Sequence, residues 1–241
     1  MIHKTFRSIS LAIAVLVTAM TFQQMALAGP PLICHPYDIG SAKSLPWSGS
    51  EWRAVKSDYD LNRLVRDTLG LLTPETPVIV RMETLRRATI YAVWAKLDTK
   101  VSYQVKDVKI ADELLAQLMD RVRQSVQWGN PDALALFDAG YLAASYKNAG
   151  YSSSNKPNSE LDGYGMIVKA AGMRGGDAEM EFAAALATHN AHQSDAHRQH
   201  LQKAIAGAKD GSLLAQNLVK HFGQQGQKLA DLRAQVTSAK N

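Results

Sequence analysis

The spacing of apolar residues is the feature that most restricts the fold of this chain. Beyond Asp58, leucine and valine recur at i, i+3 and i+4, the spacing that places side chains on one face of an α-helix. One such set comprises Leu61, Leu64, Val65, Leu69 and Leu72, and another comprises Leu115, Leu118, Met119, Val122 and Val126. The alternating segment 100–108 is short and polar, and no convincing strand is found in the sequence. We therefore predict an all-α fold.

Local signals place the ends of several predicted helices. Asp58 or Asp60 is positioned to cap the first helix. Thr76-Pro77 has the order of cap and proline that opens the next helix, and residues 88–95 are apolar nearly all round, which is typical of a helix buried between neighbours. The stretch Trp128-Gly129-Asn130-Pro131 ends one helix and opens another. These signals divide the chain into N-terminal helices at 58–128 and a C-terminal region at 129–238.

Residues 1–28 have the three parts of a secretory signal peptide. Lys4 and Arg7 form a basic start, an apolar run covers 9–20, and Ala26-Leu27-Ala28 has the small residues of a cleavage site. A membrane anchor is the alternative, but about a dozen apolar residues fall short of the roughly twenty that a spanning helix needs. We expect cleavage after Ala28 and a periplasmic or secreted protein with no stable membrane insertion after signal cleavage.

Residues 29–57 are rich in Pro, Gly and Ser and show no helical periodicity, so they are predicted to form an extended arm. The arm contains Cys34, the single cysteine of the chain. One cysteine excludes an internal disulfide bond, and stability must come from a packed apolar core. Cys34 is expected either to be buried as a small hydrophobic residue or to pair with a second chain.

The charge balance argues against a nucleic-acid partner. The chain has 27 basic and 22 acidic residues, and loss of Lys4 and Arg7 with the signal peptide leaves 25 basic residues and a net charge of +3. Basic and acidic residues also alternate along predicted helices, as in 106–112. This pattern is typical of solvated helix faces and not of a phosphate-binding stripe.

An internal repeat marks the C-terminal half. Lys169-Ala170 aligns with Lys203-Ala204, and the same offset of 34 residues places Gly176-Asp177-Ala178 on Asp210-Gly211-Ser212. A third copy begins at Gly129-Asn130-Pro131-Asp132-Ala133. Each copy is predicted to contain a short loop followed by an amphipathic helix.

These segments resemble the tetratricopeptide-like helical repeats, especially their Sel1-like branch, in which a Lys-Ala pair, a Gly-Asp turn and a small-residue helix recur. The matching stretches cover under half of the mature chain and are GNPDALALFDAGYL (129–142), KAAGMRGGDAEMEFAAAL (169–186) and KAIAGAKDGSLLAQNL (203–218). The resemblance implies a right-handed stack of α-α hairpins over 129–238, with an insertion at 151–159. It further implies a non-enzymatic scaffold that binds a protein or peptide of the cell envelope.

Four histidines form the alternative functional site. They lie within twelve residues, and the i, i+3 spacing of each pair could point two imidazoles from one helical face: His189, His192, His197 and His200. Imidazole nitrogens are ligands for zinc and copper, so the cluster predicts a metal-binding protein or a metal-dependent enzyme. The competing interpretation is a polar connection between helices, with Ser194 or Asp195 capping the second.

Four tyrosines border the insertion and are candidate partner-binding side chains, because tyrosine is enriched at energetically important positions of interfaces. They are Tyr141, Tyr146, Tyr151 and Tyr164. Tyr141 is equally expected in the hairpin core. The sequence contains no G-x-S-x-G, H-E-x-x-H or G-x-x-x-x-G-K-[ST] signature, and zinc or copper is the only cofactor it suggests.

Two groups of charged residues have structural interpretations. Glu179 and Glu181 suit the first turn of a helix, where acids are favoured. Arg81, Arg86 and Arg87 surround Glu83 and predict an ion-pair face within one helix, with Glu83 and Arg87 at the favourable i, i+4 spacing.

Overall fold

The computed structural model describes residues 29–94, 108–151, 153, 160–189, 194–224 and 226–238. Within these ranges the protein is all-helical and has no β-strand, which confirms the predicted all-α class. The ten helices of the described residues are α1 (Pro31–Cys34), α2 (Leu64–Leu71), α3 (Val78–Thr89), α4 (Lys109–Gln127), α5 (Ala133–Asn148), α6 (Gly163–Met173), α7 (Ala178–Ala187), α8 (Asp195–Gly207), α9 (Leu213–Phe222) and α10 (Leu229–Ser238).

Shorter helical turns extend two of these elements. A 3₁₀ turn at Leu61–Arg63, capped by the Asp60 carboxylate as predicted, leads into α2, and a π-helical turn at Ile90–Trp94 continues α3. None of the helices described is both long enough and apolar enough to cross a membrane. The predicted signal peptide at 1–28 and most of the predicted insertion at 151–159 lie outside the described residues.

Helix α3 lies at the centre of the N-terminal half. It begins directly after Pro77, and eleven of its twelve residues are buried. The predicted burial of the stretch from residue 88 is confirmed for 88–93. Pro77 provides no side-chain cap, and the Glu179 carboxylate of α7 accepts the Ile79 N–H instead, at 3.2 Å. Glu179 thus stabilises a helix end that is distant in the sequence.

Helices α5 and α6 run antiparallel and approach closely. A Cβ atom on Gly163 would lie 2.5 Å from the Ala144 nitrogen, and one on Gly140 would lie 2.6 Å from Met166 Cβ. Real Cβ atoms do not come this near to other atoms, so the crossing depends on glycine in both helices.

Helices α7 and α8 form a second antiparallel pair. Gly207 near the end of α8 packs against Ala178 at the start of α7. His200, nearer the start of α8, contacts Glu181, which lies about one turn further along α7. Helices α9 and α10 follow and pack against each other. Contacts between α6 and α7 join the pair α5–α6 to the pair α7–α8.

The loops before α7 and α9 have the same form, a left-handed glycine followed by a capping residue. Gly176 (φ 84°) precedes the N-cap Asp177, and Gly211 (φ 76°) precedes the N-cap Ser212. Equivalent positions in the two loops therefore differ by 35 residues, from 176 to 211, and not by the predicted 34.

The segment 29–57, here called the N-terminal segment, is part of the core. Where an extended arm was predicted it begins with one helical turn, α1, in which Leu32 and Ile33 are fully buried against α3, α5 and α7. The rest is irregular apart from an isolated bridge between Trp47 and Val55. Cys34 is half-buried, and burial raises the pKa of its thiol.

A buried network of charges fastens the N-terminal segment to α3. The Arg86 guanidinium binds the Glu83 carboxylate through two hydrogen bonds, of 2.7 and 2.8 Å, and Arg87 donates to the same carboxylate at 2.7 Å. Arg86 also donates to the Ile33 and Trp52 carbonyls, both at 2.9 Å. We call Glu83, Arg86 and Arg87 the arginine–glutamate network.

The network differs from the ion-pair face predicted for this helix. Burial alone would raise the pKa of Glu83, but the hydrogen bonds and charges of Arg86 and Arg87 outweigh it and lower the pKa below its usual value. Arg81 does not join the group and pairs with Asp138 of α5 at 2.5 Å, where both side chains are buried. The predicted i, i+4 ion pair of Glu83 with Arg87 is present, but its carboxylate lies in the interior of the protein.

Candidate functional site

A pocket of about 420 Å³ opens between α5, the start of α6, the end of α7 and the beginning of the N-terminal segment. Small and polar side chains line it, including Pro30, Ala143, Lys147, Asp162, Tyr164 and Ala187. Sites for small molecules and for protruding side chains typically have volumes of this order.

The sequence of α5 and α6 explains why a pocket forms here. The glycine crossing holds the first turn of α6 against α5, and Ala143 and Ala144 of α5 leave room beside it. The Asp162 carboxylate accepts the Gly165 N–H and fixes the start of α6. Tyr164 is thereby placed on the pocket wall.

Tyr164 is also part of a polar chain that crosses three helices. Its hydroxyl lies 2.8 Å from His200 Nε2, His200 Nδ1 lies 2.5 Å from the Glu181 carboxylate, and Lys203 donates to that carboxylate at 3.1 Å. Burial and the carboxylates of Glu181 and Asp162 raise the pKa of Tyr164.

The Tyr164 phenol is protonated near neutral pH, as a tyrosine with its usual pKa of about 10 is, and the raised pKa extends this protonated range upward. With a neutral His200, these distances fit an arrangement in which Nδ1–H donates to Glu181 and the Tyr164 hydroxyl donates to Nε2. All three groups are then hydrogen-bonded, so the chain joins α6, α7 and α8 and leaves the phenolic oxygen free to accept a hydrogen bond from a ligand.

The structure places three of the four predicted partner-binding tyrosines in the interior. Tyr141, Tyr146 and Tyr151 are buried, and their hydroxyls contact the Tyr37 hydroxyl (2.7 Å), the Ala111 carbonyl (3.1 Å) and the Asp112 carboxylate (2.9 Å), respectively. Their rings therefore pack within the fold. Of the four tyrosines, Tyr164 lines the pocket.

The predicted histidine cluster is divided between two environments. His200 turns toward Tyr164 and Glu181, whereas His197 Nδ1 lies 3.0 Å from the Ala185 carbonyl. His189 and His197 have ring centres 5.8 Å apart, and His192 lies outside the described residues. Among the residues that the structure describes, no group of three or more His, Cys, Asp or Glu side chains is arranged to hold a metal ion.

A different pair of histidines meets where the N-terminal segment reaches α9. His35 and His221 have ring centres 5.9 Å apart. The His221 ring stacks on Tyr37 at 5.0 Å and meets the edge of Phe182 at 5.5 Å. Nearby, Asp38 and Asn217 exchange two hydrogen bonds of 2.8 Å, which fix the segment against α9. We call His35 and His221 the histidine pair.

Both members of the histidine pair are neutral near pH 7. Burial, followed by electrostatic interaction with the basic groups His35, Lys220, Arg86 and His189, lowers the pKa of His221 well below its usual value. Burial and the same neighbouring charges of His189, Lys220 and Arg86 also lower the pKa of His35. No local sequence pattern indicates this pair, because its members lie far apart in the chain, one in the N-terminal segment and the other at the end of α9.

No protein-family model matches the chain, and neither a curated protein nor a solved structure shows significant similarity to it.

Proposed function

We propose that the chain is an exported, non-enzymatic helical scaffold that binds a protein or peptide segment of the cell envelope through the pocket between α5, α6 and α7. The observation that carries this proposal is the pocket itself, because it combines an aromatic ring, Tyr164, with the opposite charges of Lys147 and Asp162. Such a mixture suits a peptide, which presents apolar, polar and charged groups together.

The finer fold proposed for this scaffold is a tetratricopeptide-like or Sel1-like stack of helical hairpins. Two antiparallel pairs, α5 with α6 and α7 with α8, support it, as do the equivalent glycine-then-cap loops before α7 and α9. In such a stack each pair buries its apolar face only against its neighbours, which leaves clefts between pairs for a partner. The pocket lies at one such junction, between the first pair and α7.

Export to the periplasm or the medium is the proposed location. Its support is the sequence of residues 1–28, where a basic start, an apolar run and Ala26-Leu27-Ala28 follow in the order of a signal peptide.

Site-specific photocrosslinking tests this proposal. A photoreactive phenylalanine derivative would replace Lys147, an exposed residue of the pocket, in cells that express the full chain. The matched control is Lys169, an exposed lysine of α6 outside the pocket lining. We expect a light-dependent protein adduct from position 147 and none from position 169.

A pair of blocking variants then locates the contact. Ala187→Trp fills the pocket from the end of α7, whereas Ala234→Trp makes the same change on the exposed face of α10. The adduct should disappear in the first variant and persist in the second. Equal adducts from positions 147 and 169, or an adduct unaffected by Ala187→Trp, would contradict the proposal.

A further inference from the structure

The pocket between α5, α6 and α7 has an acidic group at the start of α6. Asp162 is an exposed residue of the lining, and its carboxylate accepts the Gly165 N–H as the N-cap of α6. Its full negative charge exceeds the partial positive charge of a helix start, which is about half a unit. Lys147 opposes Asp162 with a positive charge, but it is exposed, so its flexible amine can extend into solvent.

Two helix ends add negative character to the pocket. Helix α5 ends at Asn148 and helix α7 ends at Ala187, and both residues line the pocket. The C-terminal end of a helix carries a partial negative charge of about half a unit, and its effect is confined to the last turn. The last turns of α5 and α7 are the parts of these helices that border the pocket, so both ends favour a cation there.

The electrostatic surroundings of Tyr164 agree with this polarity. Burial is the largest cause of its raised pKa, and the carboxylates of Glu181 and Asp162 raise it further, against the opposing charge of Lys203. Negative groups that disfavour a phenolate also favour a cation beside the ring. Tyr164 offers such a cation two kinds of contact, because its oxygen accepts hydrogen bonds and its aromatic ring attracts positive charge.

We propose that the pocket binds a basic side chain, arginine or lysine, of the partner segment. This inference rests on the proposed peptide-binding function and names the chemistry of the residue that enters the pocket. The Asp162 carboxylate supplies the counter-charge, and Tyr164 supplies the aromatic and hydrogen-bonding contacts. A volume of about 420 Å³ leaves room for the aliphatic stem of either side chain.

Titration with matched peptides tests this charge preference. One probe is a blocked pentapeptide of four alanines around a central arginine, and the other contains citrulline, which replaces the guanidinium group by a neutral urea of nearly the same shape. Amide NMR shifts of the ¹⁵N-labelled chain near neutral pH measure both dissociation constants. We expect the arginine peptide to bind at least about fivefold more tightly, the combined effect of an exposed ion pair and a cation–π contact.

Three substitutions locate the charge. Asp162→Asn keeps the helix cap, since asparagine caps a helix as well as aspartate does, and it should weaken binding of the arginine peptide about threefold. Lys147→Gln should have the opposite effect and tighten binding of this peptide. Asp177→Asn makes the same change at the N-cap of α7, outside the pocket lining, and should bind both peptides as the unchanged chain does. NMR spectra without peptide check that each variant is folded.

Equal affinity for the two peptides, or no measurable binding of either, would overturn the inference. An Asp162→Asn variant that retains the full preference for arginine would overturn it as well. The photocrosslinking experiment separates this failure from failure of the pocket itself. A light-dependent adduct from position 147 without any preference for arginine would support the peptide-binding pocket and remove only the assignment of a basic side chain. Absence of both the adduct and the preference would contradict both proposals.

Discussion

The N-terminal segment meets the helices at two buried polar clusters that differ in one respect. In the arginine–glutamate network, the Glu83 carboxylate receives three arginine hydrogen bonds and also the Tyr37 N–H, at 3.0 Å. In the histidine pair, three ring nitrogens have no hydrogen-bond partner among the described residues. Both clusters join the same segment to a helix, but only the first has its polar groups satisfied.

This difference determines how much each cluster can contribute to the stability of the fold. A buried charge that loses its partner is strongly destabilising, so a completed network holds the segment in one position. A buried imidazole whose nitrogens lack hydrogen bonds costs free energy, so these nitrogens do not hold the segment as the network does. We therefore assign the network, and not the ring nitrogens of the histidine pair, to the stability of the fold.

Removing the shared carboxylate should produce the largest effect. Glu83→Ala leaves Arg86 and Arg87 without their common anion in the interior, and we expect a loss of about 3–5 kcal/mol in the free energy of unfolding. Urea denaturation measures it. The control is Asp120→Ala, which breaks an exposed ion pair with Arg123 and should cost less than about 1 kcal/mol. Equal losses in the two variants would remove the distinction between the network and a surface pair.

The sequence identified this helix but not the environment of its charges. The apolar stretch that begins at Ala88 predicted a buried helix, and the i, i+4 spacing predicted the pair of Glu83 with Arg87. The spacing within one helix could not reveal that carbonyl groups of Ile33, Leu45 and Trp52 accept from these arginines, because those contacts depend on how a distant irregular segment folds back.

The close crossing of α5 and α6 at Gly163 involves no charged side chain and tests the contribution of packing alone. A methyl group at Gly163 would meet backbone atoms of Ala144 and Gly140 at 2.5 and 2.6 Å, which cannot move aside without shifting a helix. Gly163→Ala should therefore destabilise the protein by about 1–3 kcal/mol, as overpacking does.

Gly172→Ala provides the matched control in the same helix, because a Cβ atom there would meet nothing within 4 Å. This variant should be unchanged or more stable by up to about 1 kcal/mol, since alanine favours helix. If thermal unfolding shows the two variants to be equally stable, the close crossing of α5 and α6 is not as described.

The sequence predicted the helical fold better than it predicted the surroundings of the candidate site residues. The small-residue pattern pointed to closely packed helices but could not tell which tyrosines face inward, since Tyr141, Tyr146 and Tyr151 find their hydroxyl partners in other elements. The local spacing of the histidines grouped His197 with His200, whereas the turn of α8 between them directs one toward Ala185 and the other toward Tyr164.

The histidine pair should make stability depend on pH in a defined direction. The folded state lowers the pKa of His221 and His35 below their usual value of 6.5, so the unfolded chain binds protons there that the folded chain does not. In metal-free buffer the free energy of unfolding should fall as pH decreases below about 6.5, by at most about 1.4 kcal/mol per pH unit for each group.

Comparison with His221→Phe isolates this contribution. Urea denaturation between pH 7 and pH 5 should show a smaller loss of stability in the variant than in the unchanged chain, because one of the two imidazoles is missing. Identical pH dependence in both would show that His221 is not held neutral by its surroundings.

The stability of His221→Phe at pH 7.5 tests most directly whether the two clusters contribute differently to the stability of the fold. Phenylalanine preserves the contacts with Tyr37 and Phe182 and removes the two unpartnered nitrogens. The free energy of unfolding should change by less than about 1 kcal/mol or increase, because an apolar ring replaces an unsatisfied polar one. A loss of about 3 kcal/mol or more, comparable to that expected for Glu83→Ala, would mean that the imidazole supports the fold as the network does, and would contradict the account.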